Sequence, residues 1–201
     1  MLSSKKELAR ELSFLENFDD AAVRLEQYKT DSEIAAELLW SLHMANELKG
    51  KTVADLGCGN GILGIGCLLL NAGEVFFVDK DNKALDIARE NYKKLKLKHG
   101  KFFCCDVFQF DQKADVVIQN PPFGVKKKHA DREFLDTAMK TSDVIYSFHK
   151  SESENFLKKY CENFKVEKIF EFDFILRKTY KFHKKEKHHV RAGLFRMNRK
   201  I

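Results

Sequence analysis

Val53-Ala54-Asp55-Leu56-Gly57-Cys58-Gly59-Asn60-Gly61 runs into Ile62-Leu63-Gly64-Ile65-Gly66-Cys67-Leu68-Leu69-Leu70, and this stretch decides the fold. A short apolar run carrying one acid reads as a strand, the glycines as a tight loop, and the longer apolar run as a helix. Glycines let the backbone turn sharply and approach a ligand closely. The pattern continues outward. Glu74–Asp79 and Phe102–Val107 read as further strands, Lys83–Leu95 as a helix between them, and Ala114–Gln119 as a fourth strand. Alternating strands and helices predict an α/β fold with a parallel sheet and crossover helices. Ligands of such sheets bind beyond the carboxyl ends of the strands.

Three of these strands end in or near an acid: Asp55, Asp79 and Asp106. Gly59-Asn60-Gly61-Ile62-Leu63-Gly64 fits the dinucleotide fingerprint G-x-G-x-x-G, with Asp79 at the distance of a ribose contact. Asp55 favours S-adenosyl-L-methionine instead, because a carboxylate there suits a cationic amino-acid head and repels a pyrophosphate. Asp79 is placed to accept from both ribose hydroxyls, or else it caps the following helix, a role open to Asp81 as well. Asp106 can accept the adenine amine of the cofactor while the Val107 N–H donates to the ring; alternatively it is a solvated loop acid.

The two prolines of the chain stand side by side in Asn120-Pro121-Pro122-Phe123, directly after the fourth strand. An exocyclic amine is a poor nucleophile, because its lone pair is delocalised into the ring. Two acceptors on its N–H groups draw the nitrogen toward tetrahedral geometry. The Asn120 side-chain oxygen can be one and the Pro121 carbonyl the other. Proline fixes φ and adds no competing N–H, so the elbow is preorganised. Phe123 can stack on a flat base, a contact worth about 1–3 kcal/mol. The bland alternative is an ordinary strand-to-loop turn.

The outer parts complete the reading. Lys5–Phe18 and Asp31–Leu48 read as amphipathic helices, the second begun by Thr30-Asp31-Ser32-Glu33 in the form of a capping box. Beyond the elbow come a helix near Asp131–Met139, a strand near Asp143–Phe148 and a helix near Ser151–Cys161. Strands near Val166–Leu176 and Val190–Met197 form a closing antiparallel hairpin around a basic loop. One domain over 1–201 is expected: an N-terminal helical extension, 1–48, and a core, 49–201. From Arg177 onward ten Lys/Arg face one acid, Glu186, whereas the whole chain carries only +6, so the remainder is net acidic. A basic end with interleaved Tyr180, Phe182 and Phe195 suits a phosphate-rich partner such as RNA. Lys126, Lys127 and Lys128 beside the elbow either grip phosphates or form a solvated loop. The five cysteines lack CxxC pairing and read as reduced apolar residues, and no metal site is expected. With no apolar run long enough to span a membrane and no signal core, a cytoplasmic location is expected.

At this point the chain resembles the small-subunit rRNA adenine-N6 methyltransferases, methyltransferase-like protein 5 and its archaeal relatives. The resemblance runs over nearly the whole chain. It is carried by Leu25-Glu26-Gln27-Tyr28 with Thr30, Ala54–Gly59, Asn120–Gly124, Ala130-Asp131 with Phe134-Leu135, Val144–Lys150 and Tyr180–Lys185. It implies a Rossmann-like, seven-stranded class I S-adenosylmethionine-dependent methyltransferase fold with N-terminal helices. It implies that Gln27 and Thr30 contact the methionine end of the cofactor. Gly57, Gly59, Asn60 and Ile62 would line the cofactor, Asp79 would hold the ribose, and Asp106 and Val107 the adenine. Asn120, Pro121, Pro122 and Phe123 would hold the target base. Lys181, His183, Lys184 and Lys185 would lie near structured RNA, and a small zinc-binding activator subunit would cover an exposed sheet edge. DNA adenine and protein glutamine methylation share the tetrapeptide and remain alternatives. A non-catalytic RNA-binding assembly factor is the alternative of another class.

Overall fold

In the computed structural model, seven strands form one sheet in the order β3-β2-β1-β4-β5-β7-β6. The structure describes residues 2–17, 30–122, 130–176 and 188–200. The strands are β1 (Thr52–Leu56), β2 (Glu74–Asp79), β3 (Gly100–Cys104), β4 (Val116–Gln119), β5 (Val144–Lys150), β6 (Phe164–Leu176) and β7 (His188–Arg199). The first five are parallel; β7 lies antiparallel between β5 and β6. The expected closing hairpin is therefore present, with its second strand inserted into the sheet and its first at the edge.

Helices cover both faces. α1 (Lys5–Ser13), α2 (Ser32–Met44), α3 (Ile62–Leu69) and α4 (Asn82–Lys94) pack on one side; α5 (Ala130–Thr141) and α6 (Glu154–Tyr160) pack on the other. The period of two along the strands divides the core. Val53, Val75, Phe77, Val116 and Ile118 face α1–α4, whereas Ala54, Leu56, Val78, Val117 and Ile145 face α5 and α6. Burial on both faces is why these strands read as unbroken apolar runs. Gly64 and Gly66 let α3 lie close: a Cβ on Gly64 would fall 2.4 Å from Phe77, and one on Gly66 2.2 Å from Leu39. Among the described residues no helix is long and apolar enough to cross a membrane.

Several expected boundaries shift. α1 stops at Ser13, not Phe18, because the Phe14 N–H turns back onto the Glu11 and Leu12 carbonyls. β3 ends at Cys104, and Val107–Gln109 forms a 3₁₀ turn instead of strand. The cap of α2 is corrected by one residue. Asp31 is the N-cap and accepts the Glu33 N–H at 2.9 Å, so Thr30 is not the capping residue. A carboxylate caps better than a threonine hydroxyl, and it also complements the positive helix end.

Candidate active site

The carboxyl ends of β1 to β5 bring the sequence candidates together along one edge. After β1 the glycine loop turns through positive φ at Gly57 (+70°), Gly59 (+56°) and Gly61 (+83°). A side chain at Gly57 would meet the ring of Phe134 on α5 at 2.8 Å. The loop thus offers bare backbone, walled on one side by an aromatic ring.

Each strand-end acid is fixed by backbone N–H groups. Asp55 is only 1% exposed, and its Oδ2 accepts the Gly64 N–H, in the first turn of α3, at 2.8 Å. Burial, with the nearby Asp79 charge, pushes its pKa up to about 7, against the lowering by that hydrogen bond. Asp79 accepts from Gly59 N–H at 2.9 Å through Oδ2 and from Asp81 N–H at 3.0 Å through Oδ1. Its pKa is raised, chiefly by burial. The cap of α4 is Asp81, whose Oδ1 takes the Lys83 N–H at 2.9 Å, so Asp79 is free of the capping role that the sequence left open. Asp106 caps the 3₁₀ turn in a capping box with Gln109 and accepts the Val107 N–H at 3.0 Å.

Asn60, expected to line the cofactor, is buried and also latches the loop to the N-terminal segment. Its Nδ2 donates to the Glu16 carbonyl at 3.1 Å and to Asn17 Oδ1 at 2.8 Å, and its Oδ1 accepts the Ile62 N–H at 3.3 Å. Asn91, buried on α4, completes the latch. It donates to the Glu16 and Asn60 carbonyls, both at 3.1 Å, and accepts the Glu16 N–H at 2.8 Å. The sequence reading missed Asn91. It falls on the buried stripe Ala84–Ala88–Asn91 of α4, and a polar residue on such a stripe is the signal that was there.

The elbow follows β4. Asn120 Nδ2 donates to Thr30 Oγ1 at 2.9 Å, and Pro121 is buried beside it. Beneath them Gln119 Nε2 donates to Ser147 Oγ at 3.0 Å, and Ser147 Oγ lies 2.8 Å from His149 Nε2. Burial lowers the His149 pKa to about 4, so the ring is neutral. Among the described residues Gln119 Oε1 is buried without a hydrogen-bond partner, which costs about 1–3 kcal/mol where none is supplied. The sequence reading gave none of Gln119, Ser147 and His149 a role. The structure thus brings together Thr30, Asp55, Gly57, Gly59, Asn60, Ile62, Asp79, Asp106, Val107, Asn120, Pro121 and Pro122. Gln27, Phe123, Lys126, Lys127, Lys128, Lys181, His183, Lys184 and Lys185 lie outside the described residues. Both flanks of residues 18–29, which carry Gln27, are pinned here: Glu16 and Asn17 to Asn60 and Asn91, Thr30 to Asn120.

One observation discriminates between the two cofactors. An open helix N-terminus is what a pyrophosphate needs. At α3 the Gly64 N–H is already taken by a buried acid. A bare glycine loop ringed by strand-end carboxylates fits a sulfonium-bearing amino acid joined to a nucleoside. The fold and this edge define a class I methyltransferase.

The comparisons agree. The model of the methyltransferase small domain matches residues 29–143. The rRNA N(6)-adenosine-methyltransferase METTL5 of Danio rerio is 37% identical, over 95% of this chain and 97% of its own length. Protein MJ0284 of Methanocaldococcus jannaschii is 36% identical over 97% and 94% of the two chains. The crystal structure of PH1948 from Pyrococcus horikoshii superposes with a TM-score of 0.88 at 39% identity, covering 100% of this chain and 98% of that one. The chain belongs to the methyltransferase small domain family and, within it, to the METTL5 group of rRNA N(6)-adenosine methyltransferases. Its methyl donor is S-adenosyl-L-methionine.

Proposed function

We propose that this enzyme methylates N6 of an adenosine in structured RNA, in the small ribosomal subunit. The observation that carries the proposal is the Asn120–Thr30 hydrogen bond at the end of β4. With one arm of the amide anchored on Thr30, the other arm is left to present its oxygen to a target amine. Asn120 Oδ1 and the Pro121 carbonyl accept the two N–H groups and expose the nitrogen lone pair. Phe123 stacks on the base. Positioning of the amine in line with the methyl-sulfonium supplies much of the rate. No strong base is needed, since the amine gains its methyl before it loses a proton. The neutral His149 below the elbow adds no charge there. The target must be unstacked to enter, which favours a loop or junction.

Asp79 holds the ribose in this reading, with Asp106 and Val107 on the adenine. Gln27 and Thr30 lie at the methionine end, and the lysines at 126–128 and 181–185, with His183, grip RNA phosphates. The relatives named as rRNA N(6)-adenosine methyltransferases support the substrate class. A cytoplasmic location belongs to the same reading. So does a small zinc-binding partner, for which the edge strand β3 is available; it pairs with β2 on one side, and Phe108 just beyond it is 63% exposed.

Labelled S-adenosylmethionine offered in parallel with unmodified small-subunit rRNA, duplex DNA and protein tests the proposal. Label recovered as N6-methyladenosine from the rRNA is expected. Label in DNA or in glutamine, with none in RNA, overturns it.

A further inference from the structure

We infer that Thr30 is a positioning residue for Asn120: its hydroxyl anchors one arm of the catalytic amide and so leaves the other arm to face the target amine. The inference rests on the reading of Asn120 as the acceptor. An asparagine amide can turn over by 180°, and its two arms have opposite hydrogen-bonding character. Only one orientation suits an amine. In the other, two N–H donors face each other and the nitrogen lone pair is not drawn out.

The geometry anchors the amide. Thr30 Oγ1 accepts from Asn120 Nδ2 at 2.9 Å, across 90 residues of sequence. Thr30 is 6% exposed, so its side chain is held by packing. It is also released from the duty its sequence context suggests, because Asp31 caps α2 in its place. The hydroxyl accepts from Asn120 and keeps its own proton to donate. A threonine at the first residue before the α2 cap thereby joins the N-terminal flank of the site to the end of β4. This role differs from that of a residue that merely touches the cofactor, and the two predict different kinetics.

Thr30→Val keeps the shape and removes the acceptor. Thr30→Ser keeps the hydroxyl. Steady-state kinetics at saturating S-adenosylmethionine and RNA, thermal unfolding, and the side-chain amide resonances of ¹⁵N-labelled protein are compared across wild type and both variants. The Asn120 pair is assigned by its loss in Asn120→Asp. The expected result is a fall in kcat of about 10- to 100-fold for Thr30→Val, the range of a lost catalytic donor or somewhat below it. Thr30→Ser should keep kcat within about threefold, since the acceptor is retained. The Asn120 amide pair should shift in Thr30→Val and stay in place in Thr30→Ser. A higher KM for the cofactor with unchanged kcat overturns the inference and leaves Thr30 as a cofactor contact. A lower melting temperature with unchanged kcat per folded molecule overturns it in favour of a packing role. Wild-type protein that transfers no methyl group overturns the parent reading instead. The amide resonances then still decide Thr30, and an unmoved Asn120 pair in Thr30→Val overturns the inference.

Discussion

Along the carboxyl edge of one sheet, the ends of β1, β2 and the loop after β3 are acidic, while the end of β4 and the β5 residues beside it, Ser147 and His149, are neutral. Asp55, Asp79 and Asp106 each spend carboxylate oxygens on backbone N–H groups of the loops they support. Asn120 and Gln119 each spend an amide N–H on a hydroxyl, Thr30 and Ser147 respectively. The acidic half fixes oxygens by N–H donors; the neutral half ties one arm of each amide to a hydroxyl. The contrast follows from the two ligands. A sulfonium cofactor bearing an ammonium and ribose hydroxyls is served by carboxylates. A weakly nucleophilic neutral amine is served by acceptors on its N–H groups, which the Asn120 side chain and the Pro121 carbonyl can supply. The His149 ring in the neutral half is held uncharged by burial.

The comparison breaks most visibly at Asn120. Asn120→Ala removes an acceptor needed only as the amine becomes tetrahedral, so the methyl-transfer rate should drop by about 10³-fold. A single-turnover assay measures it.

The neutrality of His149 sharpens the contrast through pH. Its folded pKa of about 4 lies below the ordinary value of 6.5. The unfolded chain therefore binds that proton first as pH falls, and the folded state loses stability between pH 6.5 and 4, by up to about 3 kcal/mol. Asp55 acts with the opposite sign. Its pKa is raised from 3.8 to about 7, so the folded state binds that proton first and gains stability as pH falls through 7 toward 4. The two offset each other in the wild type. His149→Gln keeps a hydrogen-bonding partner for Ser147 and removes only the first effect. Its stability relative to wild type should rise by about 3 kcal/mol from pH 6.5 to 4, read by denaturant titration at each pH.

The smallest expected effect lies in the acidic half. Asp79→Asn keeps the shape and halves the acceptors, so S-adenosylmethionine should bind about 10- to 100-fold more weakly, as for a lost hydrogen bond to a charged group. The rate at saturation should stay within about threefold, because Asp79 lies away from the reacting amine. Calorimetry and saturation kinetics separate the two quantities.

The acidic half was legible in the sequence because its signals are local. A short apolar run and an acid occupy neighbouring positions at each of these strand ends, and a glycine cluster follows the first. Asn120-Pro121-Pro122-Phe123 was legible for the same reason, since prolines constrain their own residues and the one before. What escaped notice was the set of partners that hold these groups. Thr30 looked like a helix cap because T-x-x-E fits one, and Asp31 displaced it as the better acceptor. Asn91 meets Asn60 across 31 residues, and Ser147 meets Gln119 across 28. Such contacts are set by the packing of α4 and the register of β4 against β5, which no local pattern contains. Ser147 and His149 do alternate with Tyr146 and Phe148, so two inward polar residues on a buried strand were visible, but their partner was not.

The most direct test carries wild type and Asn120→Ala through the same two assays. One is calorimetric titration with S-adenosylmethionine. The other is nucleoside analysis of small-subunit rRNA after incubation with the labelled cofactor. The account predicts matching cofactor affinities, with N6-methyladenosine formed by the wild type and lost in the variant. N6-methyladenosine formed equally by both proteins would contradict it, because the neutral end of β4 would then not be where the target amine is held.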